Sequence, residues 1–292
     1  MRILITGGSG LLGQYLNMEL SKENEILTTY LTDPGNCKNC NSVQLDIRDK
    51  ENVINLFKNF KPEIVVHLAA ISTPMPVPSL SSKKIYDINV NSTSTLAELC
   101  NNYSAKLIFI STDLVYAGYR GSMLKEDSKL IPISLYAETK LMGELKIQEI
   151  SSNYIILRTS FLYGFGIENK KNHFDQMYNN LKNGKQVKLF YDQYRTALSL
   201  PEAVRIINQL TKLDIKNEII NFGGNERVNR VEMGELLCEI AGFDKSQIRK
   251  ISMKEIPDYQ AVEDVSLNTD KLQSLGIRQK SVKESIKKII IN

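Results

Sequence analysis

The chain is poor in metal-ligating side chains: its 292 residues include only two histidines, His67 and His173, and four cysteines. A structural zinc ion needs about four such ligands. Cys37 and Cys40 alone share CxxC spacing, in the polar run "GNCKNCN", whereas Cys100 and Cys238 stand singly in helical patterns. The CxxC pair does not open a helix, which argues against a redox pair. No metal is expected, and Cys37 and Cys40 read as surface-loop thiols. No stretch reaches eighteen consecutive apolar residues, so no membrane-spanning helix is expected. "MRILITGG" has neither a long apolar core nor a small-residue cleavage pattern, so it does not read as a secretory signal, and the expected compartment is the cytoplasm. The net charge of +4 comes from scattered lysines and arginines, with no basic stripe interleaved with aromatics. Nucleic-acid binding is therefore not expected.

What remains is an ordinary globular composition, 42% hydrophobic and 24% charged, in a chain long enough for one large domain or two modest ones. Apolar runs read as strands at 2–6, 25–30, 42–45, 63–68, 105–110 and 154–159. Helical patterns fall between them at 11–20, 50–59, 82–102 and 134–150. Strands apolar on both faces, alternating with helices, predict a parallel sheet covered on both sides. After residue 160 the rhythm changes. Helices are expected at 172–183, from Pro201 to about 213, at 230–241 and from about 281, with strands at 186–190, 218–224 and 248–252. The predicted fold class is α/β, a Rossmann-type doubly wound parallel sheet with a smaller C-terminal α/β cap that binds substrate. Residues 1–160, completed by 196–224, would form the nucleotide-binding domain. The cap would comprise 161–195 and 225–292.

"TGGSGLLG" sets Gly7, Gly10 and Gly13 between the first strand and the first helix, which opens with Leu11 and Leu12. Glycines let backbone approach a pyrophosphate, and the free N–H groups of a helix start supply hydrogen bonds and positive potential. Position at the first strand–helix junction gives the triplet its weight as an NAD(P) site. Asp46, with Ile47 beside it, follows the third strand and can accept from an adenine amino group; the other reading is a helix-capping acid. The second strand ends near Tyr30 with Asp33 slightly beyond and no arginine to pair with a 2′-phosphate. NAD(H) and NADP(H) both stay open.

"FISTDLVYAG" at 109–118 ends a strand in Ser111, Thr112 and Asp113, and "YAETK" at 136–140 follows. Tyr136 and Lys140, four apart, share one helix face. An ammonium about 4 Å from the phenol, at an effective dielectric of about 20, favours phenolate by up to about 4 kcal/mol before its own desolvation is set against it. That predicts a tyrosine pKa lowered from about 10 by about one to three units, into the range useful for proton transfer. Thr112 can donate to the same carbonyl oxygen that Tyr136 protonates. Thr112, Tyr136 and Lys140 are thus the candidate catalytic residues. The bland alternative is an ordinary helix tyrosine and a solvated lysine. His67 reads as a packed core histidine.

The sequence resembles the extended short-chain dehydrogenase/reductases, and within them the dTDP-4-dehydrorhamnose reductase family. The resemblance rests on "MRILITGGSGLLG", "LDIRD", "EIVVHLAA", "ISTDLVYAG", "YAETKLMGE", "ILRTSFLYG", "FYDQYRTALS" and "DVSLNTDKLQSLGI", in that order over nearly the whole chain. It implies NAD(P)H-dependent reduction of a nucleotide-linked 4-keto-6-deoxyhexose. It places Ala69 and Ala70 beside the cofactor and gives Lys140 the nicotinamide ribose as well. Asp113 and Phe161 would line the sugar pocket, with His173 and Phe174 at the cap helix. Arg195 and Thr196 would lie toward the nucleotide, where an arginine can pair with a diphosphate. The alternatives for Phe161 and Arg195 are a core aromatic and a surface ion pair. A homodimer is a further implication.

Three departures bear on the sugar rather than on catalysis. Leu114 stands where the family has an aromatic, the loop "ISTPMPVPSLSSKK" carries Pro74, Pro76 and Pro78, and the segment from Phe165 to His173 is long. Two rival functions share the scaffold: a nucleotide-sugar epimerase that keeps its NAD bound, and a non-catalytic NAD(P)-binding subunit like the regulatory partner of methionine adenosyltransferase.

Overall fold

A computed structural model describes residues 1–73, 80–119, 121–168, 170–257, 259 and 262–291. The first half alternates β1 (Arg2–Thr6), α1 (Leu11–Leu20), β2 (Glu25–Tyr30), β3 (Ser42–Gln44), α2 (Lys50–Phe60) and β4 (Ile64–His67). A helical stretch of α3 (Ser82–Tyr86) and α4 (Ser92–Asn102) leads to β5 (Lys106–Thr112), α5 (Leu135–Ile150) and β6 (Tyr154–Thr159). Next come β7 (Leu162–Tyr163), α6 (His173–Lys182), β8 (Val187–Phe190), β9 (Tyr194–Arg195), β10 (Leu198–Ser199), α7 (Leu200–Lys212) and β11 (Glu218–Phe222). The chain ends with β12 (Val228–Asn229), α8 (Arg230–Ala241), β13 (Ile248–Ile251), α9 (Asp270–Ser274) and α10 (Val282–Ile291).

Seven strands form one sheet in the order β11–β6–β5–β4–β1–β2–β3, every neighbouring pair parallel. Alternation along the strands fills both faces. Ile3, Ile5, Ile64, Val66, Ile108, Ile155 and Leu157 meet α1 and α7 on one side. Leu4, Val65, Leu107, Phe109 and Ile156 meet α2, α4 and α5 on the other. This is the doubly wound sheet the periodicity predicts.

A separate apolar cluster joins Phe174, Met177 and Leu181 of α6 to Val187 and Leu189 of β8, Leu237 of α8 and Ile286 of α10. Small pairs, β8 with β13 and β9 with β12, frame this cap. The cap does not hold all of 225–292, however. Leu272 of α9 and Ile277 pack into the core of the large sheet instead.

The expected single helix over 82–102 is interrupted by a wider π-helical turn at Asp87–Asn91. Its cause is tertiary. The Asn89 side chain accepts from Ile71 N–H at 2.9 Å and donates to Ile71 C=O at 3.1 Å and to Thr139 Oγ1 at 3.0 Å. The bulge thereby ties the chain beyond β4 to α5, as such bulges often do beside functional sites. Pro74, Pro76 and Pro78 lie outside the described residues. The long segment after Phe165 docks on α1: the Tyr15 hydroxyl donates to Phe165 C=O at 2.8 Å, and Gln14 Nε2 donates to Ile167 C=O at 3.2 Å.

Candidate active site

Strand order reverses between β1 and β4, and a crevice opens at the carboxyl ends of strands at such a switch point. Gly7 leaves β1 with φ +72°, and a Cβ there would lie 2.8 Å from Ala69 N, so the glycine turn and the "HLAA" segment meet. Gly13 packs the helix onto the turn, where a Cβ would lie 2.6 Å from Gly7 O. At Gly10 a Cβ would approach only Gly7 O, at 3.2 Å, so that position faces open space. Helices α2, α5, α6, α7 and α8 each begin on an Asp, Ser or Asn whose side chain accepts from a helix amide. Helix α1 begins on Gly10 with no side-chain cap. The N–H groups of its first turn, at Leu11 and Leu12, are left for an anion. These residues fit a dinucleotide pyrophosphate.

Asp46 sits half-exposed beyond β3, gripped by Arg48, whose Nη2 donates at 2.5 Å and whose Nε donates at 3.0 Å. That pairing holds its carboxyl below the usual range. Asp49, not Asp46, caps α2, accepting from Asn52 N–H at 3.1 Å. Ile47 is buried in the core beneath. Asp33 accepts from Gly35 N–H at 3.0 Å. Cys37 is fully buried against Asn17 and Thr28, which corrects its reading as a surface thiol. Among the described residues, no three His, Cys, Asp or Glu side chains cluster to hold a metal.

A cavity of about 440 Å³ lies beyond the ends of β5 and β6 and reaches into the cap. Thr112, Asp113 and Tyr136 line it together, with the Thr112 hydroxyl beside the Tyr136 phenol and donating to Asp113 Oδ1 at 3.4 Å. Ser134 caps α5 and so sets the helix that presents Tyr136. One turn on, Lys140 is 3% exposed, its Nζ 3.9 Å from the centre of the Phe109 ring. The expected lowering of the tyrosine pKa does not occur here. Burial, and secondarily the Asp113 carboxylate, push Tyr136 up to about 12, opposed by the neighbouring Thr112 hydroxyl. Burial pulls Lys140 down to about 7, opposed by Glu144. Burial strips solvation from the phenol and the lysine alike and favours the neutral form of each.

Beneath the site, Glu144 takes a hydrogen bond from Ser111 and pairs with Arg158 at 2.8 Å, both charges buried. This network ties α5 to β5 and β6. His67 is a core residue, bonded between the hydroxyls of Thr6 at 2.7 Å and Thr93 at 3.0 Å. Burial pulls it down to about 3, so it stays neutral.

A family model described as the RmlD substrate binding domain matches residues 1–292. The chain belongs to that family. It is 27% identical to methionine adenosyltransferase 2 subunit beta of Rattus norvegicus, over 100% of this chain and 89% of that protein. It is 26% identical to dTDP-4-dehydrorhamnose reductase of Aggregatibacter actinomycetemcomitans, over 89% and 84%. The crystal structure of dTDP-4-dehydrorhamnose reductase from Bacillus anthracis, in complex with NADP, superposes with a TM-score of 0.86 at 23% identity, covering 99% of this chain and 98% of that one. At that identity the likeness concerns the fold.

Against the site residues that the family resemblance implies, the structure sorts the cap side chains. Asp113, Phe161 and Arg195 line the cavity. Asp113 is buried, accepts from Ser160 Oγ at 3.2 Å and pairs with Arg195 Nε at 3.4 Å. His173 opens α6 edge-on to Phe161, with ring centres 6.4 Å apart, over a small separate cavity. Phe174 is corrected: it is 1% exposed and packs against Tyr163 and Phe165 in the cap core. Thr196 is also corrected. It is fully buried, and its hydroxyl accepts from Leu267 N–H at 3.2 Å. Ser160, Gln193, Arg230 and Tyr259 are among the cavity residues that the sequence reading did not single out. Ser160 carried a signal, since it follows Thr159, which ends β6 in register with Thr112 at the end of β5.

Proposed function

We propose that the protein binds NAD(P)(H) and reduces the 4-keto group of a nucleotide-linked 6-deoxyhexose. The observation that carries this reading is that Thr112 and Tyr136 meet on one cavity wall, with Lys140 one helical turn behind. Leu11, Leu12 and the glycine turn would hold the pyrophosphate, Asp46 and Ile47 the adenine end, and Ala69 and Ala70 the flank of the groove. Reduced nicotinamide, when bound, supplies the hydride. Tyr136 delivers a proton to the substrate carbonyl oxygen, and Thr112 donates a hydrogen bond to that oxygen as negative charge develops. The phenol carries its proton at neutral pH, as a donor to that oxygen must. Lys140 binds the nicotinamide ribose and replaces the lost charge balance when the tyrosine gives up its proton. Asp113 and Phe161 border the sugar, and Leu114, in place of an aromatic, leaves that wall aliphatic.

The test is to incubate the protein with NADPH or NADH and a panel of nucleotide 4-keto sugars, following loss of the reduced nicotinamide absorbance. Stoichiometric consumption supports the reductase and excludes an epimerase that recycles its cofactor. A second reading is favoured by the full-length likeness to methionine adenosyltransferase 2 subunit beta, namely a non-catalytic NAD(P)-binding subunit. Cofactor binding without turnover on any sugar of the panel, together with co-purification of a methionine adenosyltransferase, would decide for it.

A further inference from the structure

We propose that Arg230 receives an oxyanion of the substrate at the reacting end of the cavity, namely the phosphoryl group joined to the sugar. The inference rests on the nucleotide-sugar reading above and names the side chain that recognises the diphosphate.

Arg230 is the first residue of α8, and two contacts hold its guanidinium in place. The group lies 3.5 Å from the centre of the Phe161 ring, and its Nε donates to Gln193 Oε1 at 3.3 Å. Its Nη1 is shut off from solvent and meets no acceptor among the described residues. A buried donor left unpaired is costly, more so when it carries charge. Nothing in the local packing requires that cost, since the capping box at Asn229 and Glu232 already satisfies the start of α8.

The charge balance points the same way. Among the described residues, Arg195 is the other arginine on the cavity wall, and it is already engaged. Its Nε faces Asp113 at 3.4 Å, and its Nη1 donates to Tyr194 C=O at 2.8 Å and Val262 C=O at 3.3 Å. Asp113 in turn accepts from the hydroxyls of Ser160 and Thr112. That carboxylate therefore balances one of two positive groups, and Arg230 forms no ion pair among the described residues. A neutral sugar hydroxyl could accept from Nη1 but would leave the charge unbalanced. An oxyanion answers both needs. Arg230 shares the cavity with Thr112, Asp113 and Tyr136, which puts the anion next to the sugar rather than at a distant nucleotide base.

The experiment measures binding by calorimetry of UDP-glucose, glucose 1-phosphate and glucuronate to the NADPH-loaded wild type, Arg230→Gln and Arg230→Lys. Expected in Arg230→Gln is a loss of about 10- to 100-fold in affinity for UDP-glucose and glucose 1-phosphate, with a flatter salt dependence. Arg230→Lys should recover part of it, and unchanged NADPH affinity reports that both variants are folded. If only glucuronate binding weakens, the anion is a sugar carboxylate and the phosphoryl assignment is overturned. If the wild type binds UDP-glucose and Arg230→Gln binds it equally well, the inference fails while the proposed function stands. If the wild type binds NADPH but none of the three, the nucleotide-sugar reading itself falls, and this inference with it.

Discussion

Replacing Lys140 by methionine should remove the chemistry yet stabilise the fold, and the pH dependence of that gain tests the electrostatics of the site. Lys140 is 3% exposed, and burial lowers its pKa from 10.5 to about 7. At about 1.4 kcal/mol per unit, the charged form is disfavoured by about 5 kcal/mol relative to the unfolded chain. Below pH 7 both states carry the proton and the whole penalty applies. Between about pH 7 and 10.5 the unfolded chain binds a proton that the folded protein lacks, so stability rises with pH through this window. From pH 6 to pH 9 the penalty should shrink by about 3 kcal/mol. Methionine titrates nowhere and nearly fills the same space. The stability advantage of Lys140→Met should therefore be about 3 kcal/mol larger at pH 6 than at pH 9. Urea unfolding of both cofactor-free proteins at several pH values measures it. Parallel profiles, with a constant difference between the two proteins, would show that the lysine charge is not suppressed and would refute the reasoning.

Other perturbations separate fold from function. Gly10→Val should leave the unfolding midpoint nearly unchanged, because its Cβ meets only Gly7 O at 3.2 Å, but should abolish NADPH binding by calorimetry. Gly13→Val, whose Cβ would lie 2.6 Å from Gly7 O and 2.7 Å from Gly8 Cα, should instead lower the midpoint by an amount matching about 1–3 kcal/mol or more. Arg158→Met strands the buried Glu144 carboxylate and should cost about 3–5 kcal/mol, much of it restored in Glu144→Gln/Arg158→Met; a double variant as unstable as the single one would count against the pairing. Tyr136→Phe should lower turnover by about two to four powers of ten with cofactor affinity retained, and turnover at the wild-type rate would reassign the proton donor.

The sheet was legible because its information is local and repeated. Ile3 and Ile5 face one layer and Leu4 the other, and the same alternation returns in β4, β5 and β6. Short-range periodicity cannot report a feature made by distant partners. The π turn at Asp87–Asn91 owes its shape to Asn89 meeting Ile71 and Thr139, which are 18 and 50 residues away. Likewise nothing in "TDKLQSLGI" reveals that Leu272 and Ile277 return to the large sheet. Cys37 sits in a run of turn formers, yet the turn folds inward against Asn17 and Thr28.

The same division runs through the site. Tyr136 and Lys140 were found because a helix converts a spacing of four into one face, and Thr112 because a strand end faces the sheet's carboxyl edge. Arg230, Gln193 and Tyr259 come from separate segments of the cap, and no spacing rule relates them to Asp113. The tyrosine is more instructive, since Tyr136 and Lys140 do share a helix whose spacing is as expected while the shift runs in the opposite direction. Pairwise attraction between phenolate and ammonium favours ionisation only while the ammonium stays charged. In the closed cavity the same burial acts on both partners, raising Tyr136 to about 12 and lowering Lys140 to about 7. The phenol then keeps its proton across the physiological range, and the lysine stands close to neutrality. Tyr136 is then protonated at neutral pH, as a donor must be, but a raised pKa makes it a weaker acid than a free phenol. Burial thus secures the protonation state that reduction of a carbonyl needs while opposing the transfer itself. Bound cofactor and substrate therefore have to bring the pKa of the phenol back toward neutral pH for the chemistry proposed for this cleft.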